Sequence, residues 1–294
     1  MVRSVIFTDE QHKKSVREWY DRFRDALGVP TEERRVDTSF GHTHLLVAGP
    51  EGAEPLVVTH GALASSAHVL HELGHLVESR RVYAIDVIGQ SVMSEDRRIE
   101  LDGDDYGRWL VEVVDALGLE RFDLVGASWG GFVATRAASV LGERVRRLAL
   151  VVPAGFVSGP AWAGFTKMGW PIMMYRAFPT EARLQGLLRE LFTEADPLWA
   201  RYFGDALRAY RLDMRIPPLL RPEQAAKLAV PVLVVAAEDD LSFPGSALLE
   251  RARELLPEVE VELVKGAKHS PPMTPAFRGW LASRLERFFE AHPR

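Results

Sequence analysis

Short, nearly unbroken apolar runs recur along this chain, at Pro55 to Thr59, Arg81 to Val87, Phe122 to Val125, Val145 to Val152, Val230 to Ala236 and Val259 to Val264. A strand with one wet face alternates apolar and polar residues, whereas a strand covered on both faces reads as a continuous apolar run. Helical segments separate the runs, and strand–helix alternation implies a parallel sheet with crossover helices. The expected class is therefore α/β: a mostly parallel sheet with helices on both faces. Ahead of it, Asp9 to Leu27 predicts an amphipathic helix with Val16, Trp19, Tyr20, Phe23 and Leu27 on one face. Two strand-like pieces follow, Arg35 to Ser39 and Thr43 to Val47, and a Gly49-Pro50-Glu51-Gly52 turn closes them off.

Residues 153–227 break this rhythm. They hold no convincing buried strand and are dense in aromatic and methionine residues, among them Trp162, Phe165, Trp170, Met173, Trp199 and Met214. Helical patterning runs from Glu181 to Phe192 and from Pro197 to Leu212. The segment is expected to be a helical cap inserted in a core made of residues 1–152 and 228–294. Most of its aromatics should be ordinary core, with a minority facing a cleft.

Bulk properties narrow the classes. A chain of 294 residues suits one large α/β domain with an insertion. A net charge of −5 argues against a nucleic-acid surface, which needs a basic stripe. The absence of cysteine removes disulfides, thiolate zinc sites and thiol nucleophiles. The first apolar stretch, Val5-Ile6-Phe7, is too short for a signal peptide, and no run reaches the roughly 18 apolar residues of a membrane span. The expectation is a soluble cytoplasmic protein with a small-molecule substrate; its oligomeric state is left open.

Gly126-Ala127-Ser128-Trp129-Gly130 joins the Phe122 run directly to a helix-like stretch, Phe132 to Leu141. Strand, sharp turn and helix form the geometry of a nucleophile elbow. Glycines at Gly126 and Gly130 let the two backbones approach, and the Ser128 hydroxyl is held out at the end of the sheet. A serine is a poor nucleophile near neutral pH without a base and a group to orient that base. His269 follows the Val259 run and a Lys265-Gly266-Ala267-Lys268 loop, which makes it the best-placed base. Glu238-Asp239-Asp240 follows the Val230 run; Asp240 is preferred as orienter, with Asp239 as the alternative. Two backbone N–H groups are needed for an oxyanion. Trp129, after the nucleophile, supplies one, and Ala62, in the His60-Gly61-Ala62-Leu63 loop, supplies the other. His60 is read as structural, positioning that loop.

With His60-Gly61-Ala62, Asp86-Val87-Ile88-Gly89-Gln90-Ser91, the Ser128 elbow, Glu238-Asp239-Asp240 and Gly266-Ala267-Lys268-His269 in this order, the chain resembles a capped, single-chain α/β-hydrolase from about Val36 to Phe289. The resemblance implies an eight-stranded, mostly parallel sheet, a helical cap before the acid strand and a Ser128, Asp240, His269 triad. It implies no cofactor. Ala237 stands where the family often has glycine, and Gln90 to Ser94 matches the usual glycine-rich loop only loosely.

One motif competes. His71-Glu72-Leu73-Gly74-His75 is a complete H-E-x-x-H, with Glu95 at a third-ligand spacing. A buried strand at Arg81 to Val87 lies between His75 and Glu95, so the segment reads better as a crossover helix packing Val69, Leu70, Leu73 and Leu76 on the sheet; no metal site is expected. The expected activity is serine hydrolysis of a carboxylic ester of a small, largely apolar substrate through an acyl-enzyme on Ser128. Alternatives on the same triad are a proline iminopeptidase-like enzyme, a carbon–carbon bond hydrolase, a lactonase or a thioesterase. A more distant one is a non-catalytic ligand-binding member.

Overall fold

A computed structural model of the chain describes residues 4–213, 215–256 and 258–292; Met214, counted above in the insertion, lies outside them. Eight strands form one sheet: β1 (Thr31–Thr38), β2 (Gly41–Ala48), β3 (Pro55–Thr59), β4 (Arg81–Ile85), β5 (Phe122–Ala127), β6 (Val145–Val151), β7 (Val232–Ala237) and β8 (Glu260–Val264). The helices are α1 (Glu10–Asp25), α2 (Ser66–Leu73), α3 (Asp105–Ala116), α4 (Trp129–Leu141), α5 (Ala161–Gly164), α6 (Trp170–Ala177), α7 (Glu181–Leu191), α8 (Pro197–Ala209), α9 (Pro222–Ala225), α10 (Gly245–Leu255) and α11 (Pro275–Ala291).

The strand order is β1-β2-β4-β3-β5-β6-β7-β8. β2 runs antiparallel to both β1 and β4, and every pairing from β4 to β8 is parallel. The inner strands are apolar on both sides because helices cover both. Every residue of β7 is buried, and so are all but one of β3, β5 and β6. One face packs on α3, α4 and α10 around Trp109, Leu110, Phe132 and Leu248. The other packs on α1, α2 and α11 around Phe23, Leu70, Leu285 and Phe289.

Two differences from the sequence pattern have physical causes. β1 starts four residues before Arg35 because its polar run Thr31-Glu32-Glu33-Arg34 lies on the sheet edge, where mostly half-buried and exposed positions tolerate charge. α3 is an additional helix. Its buried Tyr106, Trp109, Leu110, Val113 and Val114 fall at i, i+3, i+4, i+7 and i+8, the spacing of one helix face. α1 starts where expected, because Asp9 accepts a hydrogen bond from the His12 N–H at 2.8 Å as its N-cap, an arrangement worth about 1 kcal/mol.

Between β6 and β7 the chain leaves the sheet and builds α5 to α9. α5 and α6 are joined through one π-helical turn, Phe165–Gly169. Here the aromatic expectation is met only in part, with Tyr175, Phe192, Tyr202, Phe203 and Tyr210 buried. Leu187, Leu188, Phe192, Phe203 and Leu207 form a small separate core. Trp162, Phe165, Trp170, Met173 and Phe178 are instead exposed, Trp162 by 76 %.

Candidate active site

β3 lies between β4 and β5, so the chain turns to opposite sides of the sheet after β3 and after β5. Such a reversal leaves a crevice at the carboxyl ends of the strands. The Ala127–Trp129 turn and the His60–Ala64 loop both face it.

Ser128 is one of a few non-glycine residues with positive φ, at φ 50° and ψ −115°. That conformation is costly and persists only where surrounding contacts enforce it. The Ser128 N–H donates to Val151 O at 2.9 Å, and its carbonyl accepts from the Gly131 and Ala154 N–H groups at 2.9 and 3.0 Å. The flanking glycines are required by space. A Cβ on Gly130 would stand 2.3 Å from Thr59 O, and one on Gly126 would stand 2.5 Å from Gly130 O. Strand β5, helix α4 and the end of β3 therefore meet backbone to backbone, and the serine side chain projects from the turn.

β8 ends in a tight turn, with Gly266 at φ 63°. The Gly266 N–H donates to Glu238 Oε2 at 2.8 Å, and the Asp239 N–H to Ala267 O at 2.7 Å. These bonds stitch the turns after β7 and β8 together. His269 Nε2 comes to 3.0 Å from Ser128 Oγ, and His269 Nδ1 to 2.8 Å from Asp240 Oδ2. Asp240 Oδ1 accepts from the Ser242 and Phe243 N–H groups at 2.7 and 3.0 Å. A carboxylate at Asp240 accepts only, so Nδ1 is the donor there and Nε2 is left to accept a hydrogen bond from the Ser128 hydroxyl. Asp240 is buried and Asp239 exposed, so of the two alternatives only Asp240 reaches His269. Phe243 sets its ring edge-on to the imidazole at 5.3 Å.

The Ala62 and Trp129 N–H groups donate to no acceptor among the described residues, which leaves both open beside the serine. Gly61 packs close; a Cβ there would stand 3.4 Å from Ser128 Cβ. His60 staples this loop. Its Nε2 accepts the Val87 N–H at 2.9 Å, so Nδ1 carries the proton and donates to Gly61 O at 2.7 Å. Complete burial holds its pKa below the ordinary imidazole range, which keeps it neutral in this role. The Trp129 indole points away from the serine. It packs edge-on to Tyr106 and Phe132 in the main core.

The Asp86 motif has a structural role that sequence alone left unassigned. Asp86 is completely buried and accepts from His44 Nδ1 at 2.8 Å, the Ser66 N–H and hydroxyl at 2.9 and 2.6 Å, and the Ser91 hydroxyl at 2.6 Å. Burial alone would raise the Asp86 pKa, but its hydrogen bonds and the two neighbouring histidines hold it below the usual value. It ties β2, the start of α2 and the loop after β4 into one support behind His60. The signal was a carboxylate just past a buried strand, at the same sheet end as the serine.

A cavity of about 340 Å³ opens onto Ser128 and His269. Leu73, Val152, Phe203, Leu207, Met273 and Leu281 give it mostly apolar walls, drawn from the sheet end, α2, α8 and α11. The H-E-x-x-H residues do not converge. α2 ends at Leu73 and tightens into a 3-10 turn, His75 is half exposed beside Glu78, and Glu95 binds His42 Nδ1 at 2.8 Å. Glu72 pairs with Arg278 instead.

The family model described as the alpha/beta hydrolase family matches residues 56–277, and the chain belongs to this family and is a hydrolase. Among relatives, it is 27% identical over 280 residues to the uncharacterized carboxylesterase nap of Bacillus subtilis (strain 168), covering 93% of this chain and 92% of that one. It is 28% identical over 261 residues to carboxylesterase YbfK of the same strain, covering 85% and 86%. The crystal structure of naproxen esterase from Bacillus subtilis superimposes with a TM-score of 0.79 at 25% identity, covering 93% of this chain and 96% of that one. Among the described residues no helix is long and apolar enough to cross a membrane.

Proposed function

We propose that this hydrolase cleaves carboxylic esters of small, largely apolar substrates through an acyl-enzyme on Ser128. The observation that carries the reading is the unbroken hydrogen-bond chain from Ser128 Oγ through His269 to Asp240, opening on an apolar cavity. His269 Nε2 takes the hydroxyl proton as Oγ bonds to the ester carbonyl carbon. The Ala62 and Trp129 N–H groups hold the resulting oxyanion. His269⁺, steadied by the Asp240 carboxylate, gives its proton to the alkoxide as the C–O bond breaks. Water, deprotonated by the same imidazole, then releases the acid and restores Oγ–H. Residues 153–227 act as the cap, roofing the cavity through Ile172, Trp199 and Phe203.

The carboxylesterase names of two relatives aligned over most of both chains support the ester over other acyl substrates. An aminopeptidase needs a free carboxylate for the substrate amine. Glu72, the acidic residue lining the cavity, is already matched by two hydrogen bonds from Arg278. The test is a fluorophosphonate adduct mapped to Ser128, together with turnover of ester, thioester, lactone and aminoacyl-arylamide panels by wild type and Ser128→Ala. Ester turnover dependent on Ser128 supports the proposal. Ester turnover that survives in Ser128→Ala overturns it, and a thioester or lactone preferred over every ester overturns the substrate class.

A further inference from the structure

Glu72 sits in the one motif that the hydrolytic machinery does not use. Along α2, His68, Val69, Glu72 and Leu73 all line the cavity, and that spacing is one stripe of a helix. Phe277, Arg278 and Leu281 form the matching stripe on α11. The cavity therefore extends as a slot between two helices, leaving the Gly61–Ala64 loop behind as it follows α2. The slot's walls are Val69, Leu73, Phe277 and Leu281, with His68 on the α2 stripe one turn before the place where Glu72 meets Arg278.

That meeting is a built polar node. Arg278 donates from Nε to Glu72 Oε2 at 3.0 Å and from Nη2 to Oε1 at 2.9 Å. Trp199 of α8 donates its indole N–H to the same Oε1 at 2.7 Å. Arg278 Nη2 also lies 3.4 Å from Asp196 Oδ2. Only 23% of the Glu72 side chain and 14% of the Arg278 side chain remain accessible. Arg278 Nη1 donates to no acceptor among the described residues. An alkyl chain pushed against this pair strips its remaining water and offers no hydrogen bond in return, which is unfavourable. A chain that ends in an acceptor oxygen pairs with the unused N–H groups.

We propose that the Glu72–Arg278 pair is the polar end stop of the substrate slot, selecting esters whose apolar arm is limited in length and tipped by a hydrogen-bond acceptor such as an ether oxygen. The proposal rests on the ester-hydrolase reading of Ser128. Trp199 carries the node into α8, so the same carboxylate both anchors the roof and closes the slot.

The test is a pair of ester series, p-nitrophenyl alkanoates and alkyl acetates, each lengthened stepwise and each matched by ω-methoxy analogues of equal length. Values of kcat/KM are normalised to the shortest ester, so that a general loss of folded enzyme cancels. In wild type, one series falls at least about tenfold past a limiting length, and at that length the methoxy analogue is favoured several-fold over the alkyl one. In Glu72→Leu/Arg278→Leu the fall moves to longer arms and the methoxy preference disappears. Arg278→Lys keeps the charge but loses the forked contact and Nη1; it keeps the length limit and loses the preference, and it decides the matter if the double variant does not fold. A length limit that stays put in Glu72→Leu/Arg278→Leu, or a methoxy preference that survives in Arg278→Lys, overturns the proposal. Loss of all ester turnover in Ser128→Ala with an unchanged methoxy preference in Arg278→Lys separates the two readings: the first stands and this one falls.

Discussion

The carboxyl end of the sheet and residues 153–227 above it are built by opposite rules. At the sheet end, backbones touch. Gly126 and Gly130 admit no Cβ, Ser128 is held at positive φ, and Asp240 has an acceptor bond for each oxygen. The insertion packs through a small core of its own and leaves a row of large apolar side chains in water, Trp162, Phe165, Trp170 and Met173 among them. It joins the rest through α8 and its C-cap, where Tyr202, Ala206, Ala209 and Tyr210 enter the core around Phe23, and through polar links such as Trp199 to Glu72 and the Tyr202 hydroxyl to Leu63 O. The proposed proton transfer and oxyanion binding require fixed geometry, which suits the closely packed sheet end. In the proposed reading, choice of substrate falls to the cavity walls, the slot between α2 and α11 together with the insertion over it, whose change leaves that chemistry intact.

Substitutions test this contrast, and the largest effect is expected at Ser128, the proposed nucleophile. Ser128→Ala should lower kcat/KM for a reactive ester by about 10⁴-fold or more while the thermal midpoint stays close to wild type. Asp240→Asn should cost about 10³-fold or more in kcat, because an amide both removes the charge facing His269⁺ and permits the wrong tautomer; stopped assays on a p-nitrophenyl ester measure it. Gly130→Ala drives a methyl into Thr59 O and should destabilise the fold by about 3 kcal/mol or more, read by urea unfolding. A Gly130→Ala variant of wild-type stability would break the argument for backbone contact at the elbow.

A smaller effect concerns pH. Burial pulls the His44 pKa down, but the hydrogen bond and charge of Asp86, helped by Glu33, outweigh it and leave it raised above 6.5. A raised histidine stabilises the fold fully below its unfolded pKa and loses that contribution as pH climbs through the folded value. Unfolding free energy should therefore fall as pH rises above the ordinary histidine value of 6.5, and His44→Gln should flatten that slope in urea titrations. Smallest of all, Trp162→Ser should change stability by less than about 0.5 kcal/mol, since a side chain already in water loses little. A loss of several kcal/mol there would mean that the insertion is as tightly built as the sheet end.

Much of this architecture was legible because each signal was local. Continuous apolar runs marked the inner strands, and glycines around Ser128 marked the close approach of strand and helix. Asp240 and His269 could be found because each follows a strand-like run, β7 and β8, that ends on the same side of the sheet as Ser128. The sequence preferred Asp240 but kept Asp239 as an alternative, since adjacent carboxylates in one turn differ only in direction. α3 carried a clear helical period, yet nothing in the chemistry drew attention to it. The aromatic insertion misled because composition reports how apolar a segment is and not which side chains find a partner. H-E-x-x-H was a complete motif whose helix ends too early to present both histidines on one face.

By itself, the sequence determined the class of the sheet, the turn that holds Ser128 and the order of the residues that gather around it. Those depend on periodicity and on residue types at fixed spacing, which neighbours along the chain set. Only the tertiary structure decided that Asp240 faces His269, that the Trp129 indole turns into the core and that Asp86 braces the His60 loop. It alone joined Glu72 to an arginine 206 residues away. Such pairings depend on which surfaces meet once the strands are laid side by side, and no local pattern encodes that.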